Sequence, residues 1–476
     1  MAEPALPTSD ADLGYLPATD LAALIRARRL SPVEAMAAIL RRIEAAEPRV
    51  NAFATLDAEG ATAGARAAEA AVMRGETAPL LGVPFTVKDM APVAGLPMEC
   101  GSHIRRGYVP PEDATMVRRL KQAGGIVLGK TTSSEFGWSA ISRSPLTGIT
   151  HNPWRHGYNA GASSAGAGAA AAAGFGPLHQ GSDGAGSIRL PAHFSGVVGI
   201  KPSFGRVPYT PMPNNDLISH IGPITRTVAD SALMLRVMSG PDAADFLSLE
   251  APPADYPALL GGGVRGLRIA YSPDLGFARV DPEVAAPVRA AAEAFAQELG
   301  ATVEEVTPPW ASEGPEVSRF FWLAMCAGYA QYLDEFGDRM DPGFAACVRE
   351  GVRIPLRDFM EKRVRRLAYG VAINRWFEDW DLLLTPSASV AAFPAERNIP
   401  EHWPQHEWDW ERWAEFSYPF NFSANPAISV PCGFTPDGLP VGLQIVGRRL
   451  DEVTVLRAAA AWERARPWAE RRPALG

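Results

Sequence analysis

The sequence predicts an α/β protein in which a mixed central β-sheet is surrounded by helices within a single large domain. Short apolar runs flanked by glycine alternate with longer stretches of helical periodicity, as expected of strands and helices stacked in layers. Apolar segments continue from about residue 20 to about residue 465, and no low-complexity linker or internal repeat divides them. One domain is therefore preferred to the two or three that 476 residues would allow. A hydrophobic fraction of 47% against 21% charged residues supplies a sizeable core.

Residues 20–46 repeat apolar side chains at helical spacing, and Ser31-Pro32 supplies an N-cap and a first-turn proline. They belong to a helical arm of about residues 1–60. Residues 81–87 and 126–128 are apolar runs bounded by glycine, which suits buried strands. Between them, residues 113–124 have helical periodicity and stop at a glycine pair. Residues 165–173 are almost wholly alanine and glycine and read as a tightly packed helix, with Ser163 and Ser164 at its positive end. A second passage from serine into helix begins at Ser187, with Pro191 in its first turns. These segments form a catalytic core of about residues 61–205. A substrate-pocket region of about residues 206–425 is less regular and richer in proline and aromatics. Within it, 268–271 and 302–306 read as strands around a helix at 283–299, and 315–336 and 355–380 as helices opening on proline. In about residues 426–476, a strand at 440–447 and a helix at 452–464 close the core.

A net charge of −8 excludes the basic footprint that nucleic acid requires. No basic segment leads into an apolar stretch of signal-peptide length, and no run approaches the roughly 18 apolar residues of a membrane span. A cytoplasmic protein with neither a membrane nor a nucleic-acid partner is expected. Cys100, Cys326, Cys347 and Cys432 show no CxxC or zinc spacing, so free thiols are the favoured reading and a nucleophilic Cys100 a weak one. His103, His193 and His220 have no metal spacing and read as structural or pocket-lining; no metal and no cofactor is expected.

The chemistry concentrates in three places. Gly161-Ala162-Ser163-Ser164-Ala165-Gly166 and Gly181-Ser182-Asp183-Gly184-Ala185-Gly186-Ser187-Ile188-Arg189 put serines in loops where bare backbone N–H groups can crowd a reacting atom. Val83-Pro84-Phe85-Thr86-Val87-Lys88-Asp89 ends an apolar run on a lysine, which desolvation can turn into a base. Neither loop matches a phosphate-binding GxxxxGK[ST] or GxGxxG pattern. Lysine and two serines form a nucleophilic set that needs neither histidine nor metal.

These segments resemble the amidase signature family. Its pattern is a Gly-Gly-Ser-Ser-Gly-Gly loop, an alanine-rich helix and Gly-Thr-Asp-Thr-Gly-Gly-Ser-Ile-Arg. The resemblance extends to Gly196–Pro202, Ile221-Gly222-Pro223, Leu383-Leu384-Thr385-Pro386 and Pro426–Pro431, and so covers nearly the whole chain. It implies the amidase signature fold and a Ser-cisSer-Lys triad: Ser187 as nucleophile, Ser163 in a cis peptide as relay, and Lys88 as base. It further implies an oxyanion hole from the N–H groups of Gly184, Ala185, Gly186 and Ser187, and a bracing charge pair of Asp183 and Arg189. Ser164 is expected to hold Lys88 in place.

Ala162, Ala165 and Ala185 depart from the glycines of the pattern, so these positions must hold ordinary φ unless the loops are reshaped. The Gly-Ser-Asp-Gly-Ala-Gly-Ser variant resembles the branch of aryl acylamidases, oligoamide hydrolases and urethanases. The expected activity is hydrolysis of C–N bonds in amides, anilides or carbamates of small apolar or aromatic substrates, through an acyl-enzyme. The alternative is the glutaminase subunit of a tRNA-dependent amidotransferase. A monomer or homodimer acting on a small molecule is expected. Aromatics crowd residues 403–422, and that segment reads either as a surface helix pinned by its rings or as a pocket wall that includes Trp410 and Trp413. Phe204, Tyr209 and Met212 are candidates for the opposite wall, and Asn214, Asn215 and Asp216 for a loop at the mouth.

Overall fold

Eleven strands pair edge to edge across the molecule. The structure is a computed structural model that describes residues 4–7, 9–215 and 217–475; Asp216 of the expected mouth loop lies outside them. In chain order the strands are β1 (Phe53–Leu56), β2 (Pro84–Lys88), β3 (Ile126–Thr131), β4 (Leu178–Asp183), β5 (Val198–Lys201) and β6 (His220–Thr225), followed by β7 (Arg268–Tyr271), β8 (Thr302–Glu305), β9 (Leu382–Pro386), β10 (Ala427–Phe434) and β11 (Pro440–Gly447). Across the sheet they run β1-β3-β2-β4-β6-β5-β10-β11-β9-β7-β8. β2 lies parallel to both β3 and β4. Every pairing from β4 through β9 is antiparallel, and β9, β7 and β8 are again parallel. The sheet is mixed, as its sequence predicts.

The central strands β2, β4, β5, β6, β9 and β11 are buried along their whole length, because helices cover both faces of the sheet. Such strands carry no period-two alternation. The alanine-rich helix Ala165–Ala173 is buried at all nine positions. Its small residues permit contact that larger ones would prevent: a methyl group on Gly166 would sit 2.0 Å from the Ala52 carbonyl oxygen. The arm folds as the helices Ala18–Arg26 and Pro32–Val50, and the Ser31 hydroxyl accepts from the N–H groups of Val33 and Glu34.

Two expected elements take another form. The helix expected at 315–336 runs only over Gly314–Cys326 and then tightens into 3-10 turns at Ala327–Tyr332. Gly328 weakens helix continuation there, and Tyr329 instead packs against Phe136 and Phe344 at centroid distances of 4.7 and 5.1 Å. The aromatic segment is not a surface helix. Trp403, Trp408, Trp410, Trp413, Phe416, Tyr418 and Phe420 are all buried in the core. The indole N–H of each of these four tryptophans has an acceptor: Asp281 for Trp403, Glu350 for Trp408, the Trp138 carbonyl for Trp410 and the Asn398 carbonyl for Trp413. Among the described residues no helix is long and apolar enough to cross a membrane.

Candidate active site

Because β2 and β4 are parallel neighbours, their C-terminal ends share one edge of the sheet, and Lys88 and Asp183 are the last residues of those strands. Lys88 is fully buried, with its backbone N–H held by Gln180 Oε1 at 3.0 Å. Its ammonium donates to Ser163 Oγ at 2.7 Å and to Ser182 Oγ at 3.1 Å. Burial pulls the amine down to about 7, against the opposing pull of Asp183. The neighbouring Asp89 turns away: it accepts from the N–H groups of Glu99 and Gly101 and lies 3.6 Å from Lys130.

Ser163 and Ser164 end a loop that enters the helix Ala165–Ala173, and the Ala162–Ser163 peptide is cis. Ser164 does not touch Lys88, contrary to expectation. Its hydroxyl is committed to the backbone of Ser182, donating to the carbonyl at 3.1 Å and accepting from the N–H at 3.2 Å. Ser182 takes the lysine contact instead. The signal for it was available, since Ser182 stands where the family pattern has a hydroxyl-bearing threonine.

The second loop is built around a buried ion pair. Arg189 grips Asp183 through two hydrogen bonds of 2.9 Å, and neither side chain is exposed. Burial alone would raise the Asp183 carboxyl; Arg189, Lys201 and Asn421 hold it well below the usual carboxylate range. Arg189 also donates to the Ser417 carbonyl, Gln444 Oε1 and Asn421 Oδ1. Asp183 accepts from the N–H of Gly186 at 2.7 Å and of Ile188 at 3.2 Å. That first bond corrects an expectation, because the Gly186 donor is already engaged. The N–H groups of Gly184, Ala185 and Ser187 have no protein acceptor among the described residues. The alanines of both loops keep negative φ, and the positive values fall on Gly161 and Gly186.

Ser187 stands over this loop, and its carbonyl accepts from the Ser164 N–H at 3.2 Å, tying the two loops together. Lys88, Ser163, Ser182 and Ser187 all face one cavity of about 400 Å³. Phe136, Trp138, Trp322, Tyr329 and Phe344 give it aromatic walls, and Met90, Met98, Met212 and Met325 add flexible apolar surface. Tyr209, Met212, Asn214 and Asn215 line it as expected from their place in the chain. Phe204, Trp410 and Trp413 do not. Phe204 packs edge-on to His220 at 5.6 Å, and Trp410 stands behind the wall, edge-on to Trp322 at 5.2 Å. Trp322, Tyr329 and Phe344 were missed because they lie far along the chain from the serines and carry no motif. Cys100 lines the cavity as a neutral thiol, since burial pushes it up to about 12. His193 is a structural bridge, accepting from the Gly442 N–H and facing the Val390 carbonyl. Among the described residues no cluster of metal-ligating side chains occurs.

A family model described as Amidase matches residues 34–456. Among curated proteins, the chain is 41% identical to an acylamidase of Rhodococcus erythropolis, with 98% of each chain covered. It is 37% identical to one subunit of the glutamyl-tRNA(Gln) amidotransferase of Moorella thermoacetica, over 98% of this chain and 99% of that one. Among solved structures, a bacterial aryl acylamidase of the amidase signature enzymes superposes with a TM-score of 0.88 at 29% identity, covering 96% of this chain and 98% of that chain. A 6-aminohexanoate cyclic dimer hydrolase complexed with substrate gives the same TM-score of 0.88 and identity of 29%, over 97% and 99% of the two chains.

Proposed function

The chain belongs to the amidase family of C–N hydrolases, and from that premise we propose that it cleaves amides, anilides or carbamates of small apolar and aromatic substrates through Lys88, Ser163 and Ser187. The observation that carries this reading is the buried Lys88 amine, drawn down to about 7 and 2.7 Å from Ser163 Oγ at the floor of an aromatic cavity. Above that pH the amine presents a lone pair, and Ser163 becomes the donor in the same contact. Ser187 Oγ attacks the acyl carbon as its proton passes to Ser163 Oγ, while the Ser163 proton passes to Lys88 Nζ. The N–H groups of Gly184, Ala185 and Ser187 receive the developing oxyanion, each worth about 3–4 kcal/mol in sites of this kind. Gly186 serves by holding the loop against Asp183. The relay then runs backwards and protonates the leaving nitrogen, without which an amine is a very poor leaving group. Water, deprotonated by the same relay, releases the acyl group from Ser187.

The apolar walls favour aryl and alkyl groups, at about 25 cal/mol for each Å² removed from water. Similarity to an amidotransferase subunit keeps glutamine as the competing substrate. A glutamine site needs a partner for the substrate's α-ammonium, and among the described residues no Asp or Glu lines the cavity.

The purified chain, assayed alone, separates the two readings. Nitroanilides and nitrophenyl carbamates are expected to exceed glutamine in kcat/KM, and the reverse order selects the glutaminase. Ser187→Ala is expected to lose labelling by a sulfonyl fluoride and at least about a thousandfold in turnover. Labelling that persists on another serine overturns the assignment.

A further inference from the structure

Two basic side chains, Lys88 and Arg105, line the cavity, and no acidic one does so among the described residues. Lys88 is enclosed at the floor, where burial favours its neutral form. Arg105 is exposed in the 3-10 turn His103–Arg105 and presents a guanidinium with five N–H donors. Its guanidinium lies 5.0 Å from the centroid of the Tyr108 ring, which supports it from one side. No carboxylate or hydrogen-bond acceptor among the described residues engages it. Some exposed arginines of this chain are paired, Arg118 with Asp242, Arg289 with Glu305 and Arg357 with Glu361, but none of those lines the cavity. The charge of Arg105 also reaches inward. Burial raises the Cys100 thiol and the Tyr329 phenol, both on the cavity wall, and Arg105 pulls each back down.

We infer that Arg105 is a specificity-determining residue, selecting substrates that carry an anionic group, a carboxylate for example, away from the scissile bond. This rests on the amide-hydrolase reading above and narrows its substrate class. A carboxylate reaching the mouth meets a planar guanidinium held beside a tyrosine ring, with no acidic side chain among the described residues lining the cavity. A cationic arm meets only repulsion. The site is open to water, so the preference is moderate and salt-sensitive.

The test uses two pairs matched in shape. Glutaryl 4-nitroanilide and its terminal carboxamide place the charge on the acyl side; 4-acetamidobenzoate and 4-acetamidobenzamide place it on the leaving group. In at least one pair the acid-to-amide ratio of kcat/KM is expected to be about five to twenty at low ionic strength and to shrink in 0.5 M salt. Arg105→Gln is expected to bring that ratio to about one, and Arg105→Glu to invert it. Ratios near one in the wild-type enzyme for both pairs, or ratios that survive in both variants, overturn the inference while leaving the hydrolase reading intact. If none of the four compounds turns over, the hydrolase reading fails by itself. Calorimetric binding to the Ser187→Ala protein then decides the inference. Tighter binding of 4-acetamidobenzoate than of its amide, lost when Arg105→Glu is added, upholds charge selection, and equal affinities refute it.

Discussion

Burial fits Lys88 to the role of a base. In water an amine of ordinary pKa is protonated at neutral pH and cannot accept a proton, whereas the enclosed amine is drawn down to about 7. The sign of the pH dependence follows. On the proposed mechanism the competent form lacks the proton, so kcat/KM for a neutral anilide is expected to rise through a midpoint near 7 and level off on the alkaline side. A stopped assay across pH 5.5–9.5 checks this, and a profile that falls over that range contradicts it. Lys88→Arg is expected to remain inactive at every pH, because arginine keeps its charge. At this scale the sequence is informative wherever chemistry is local. Lys88, Ser163 and Ser187 stand out because a lysine ends an apolar run and serines lie in glycine-rich loops, and most of the weight for their roles comes from the resemblance to the amidase signature family. The contact of Ser182 with Lys88 and the engagement of the Gly186 N–H by Asp183 depend on rotamers and on which donor reaches which acceptor, and no residue pattern encodes those.

The two loops that carry the serines are elements under different constraints. Gly186 has φ +108, and a methyl group there would lie 2.6 Å from Ser417 Oγ. Gly186→Ala is therefore expected to push the loop off Asp183, with at least about a hundredfold loss of sulfonyl fluoride labelling rate and a lowered Tm. Ala185, at ordinary φ, should tolerate glycine with far less effect. The aromatic segment makes the opposite case. Trp410 and Trp413 fill the core, so Trp410→Ala is expected to cost about 3–5 kcal/mol of stability and to slow short and long acyl anilides alike. Tyr209→Ala and Met212→Ala, which alter the cavity itself, should instead change the dependence on acyl length. A series of nitroanilides of increasing chain length, run beside thermal melts, distinguishes wall from core. Apolar content announced that these aromatics would be buried. It could not say against what, because a core and a pocket wall have the same composition.

Across the whole molecule, the alternation of apolar runs and helical periodicity made the α/β class and the mixed sheet legible. Strand order was not legible, since fully buried strands such as β4 and β6 carry no alternation that marks a face or a partner. Nor did the sequence show how the nucleophile loop is held. Arg189 sits two residues after Ser187, yet three of the groups it binds, Ser417, Asn421 and Gln444, come from the last stretch of chain. Asn421→Ala removes an acceptor from Arg189 and a donor from Asp183 at once, leaving buried charge undersatisfied. It is expected to lower Tm and slow labelling of Ser187 together, and an unchanged labelling rate in a folded variant would show that Asp183 alone braces the loop.

The same long reach sets when the enzyme can first act. Lys88, Ser163 and Ser187 all precede Ser417, Asn421 and Gln444, the distant partners of Arg189, by more than two hundred residues. Gln444, whose carbonyl oxygen takes one Arg189 donor, is added 257 residues after Ser187. On the proposed mechanism, a nascent chain that already holds Lys88, Ser163 and Ser187 still lacks these partners, and activity is expected only once the later strands dock. A chain cut off before Ser417 is therefore expected to be inert.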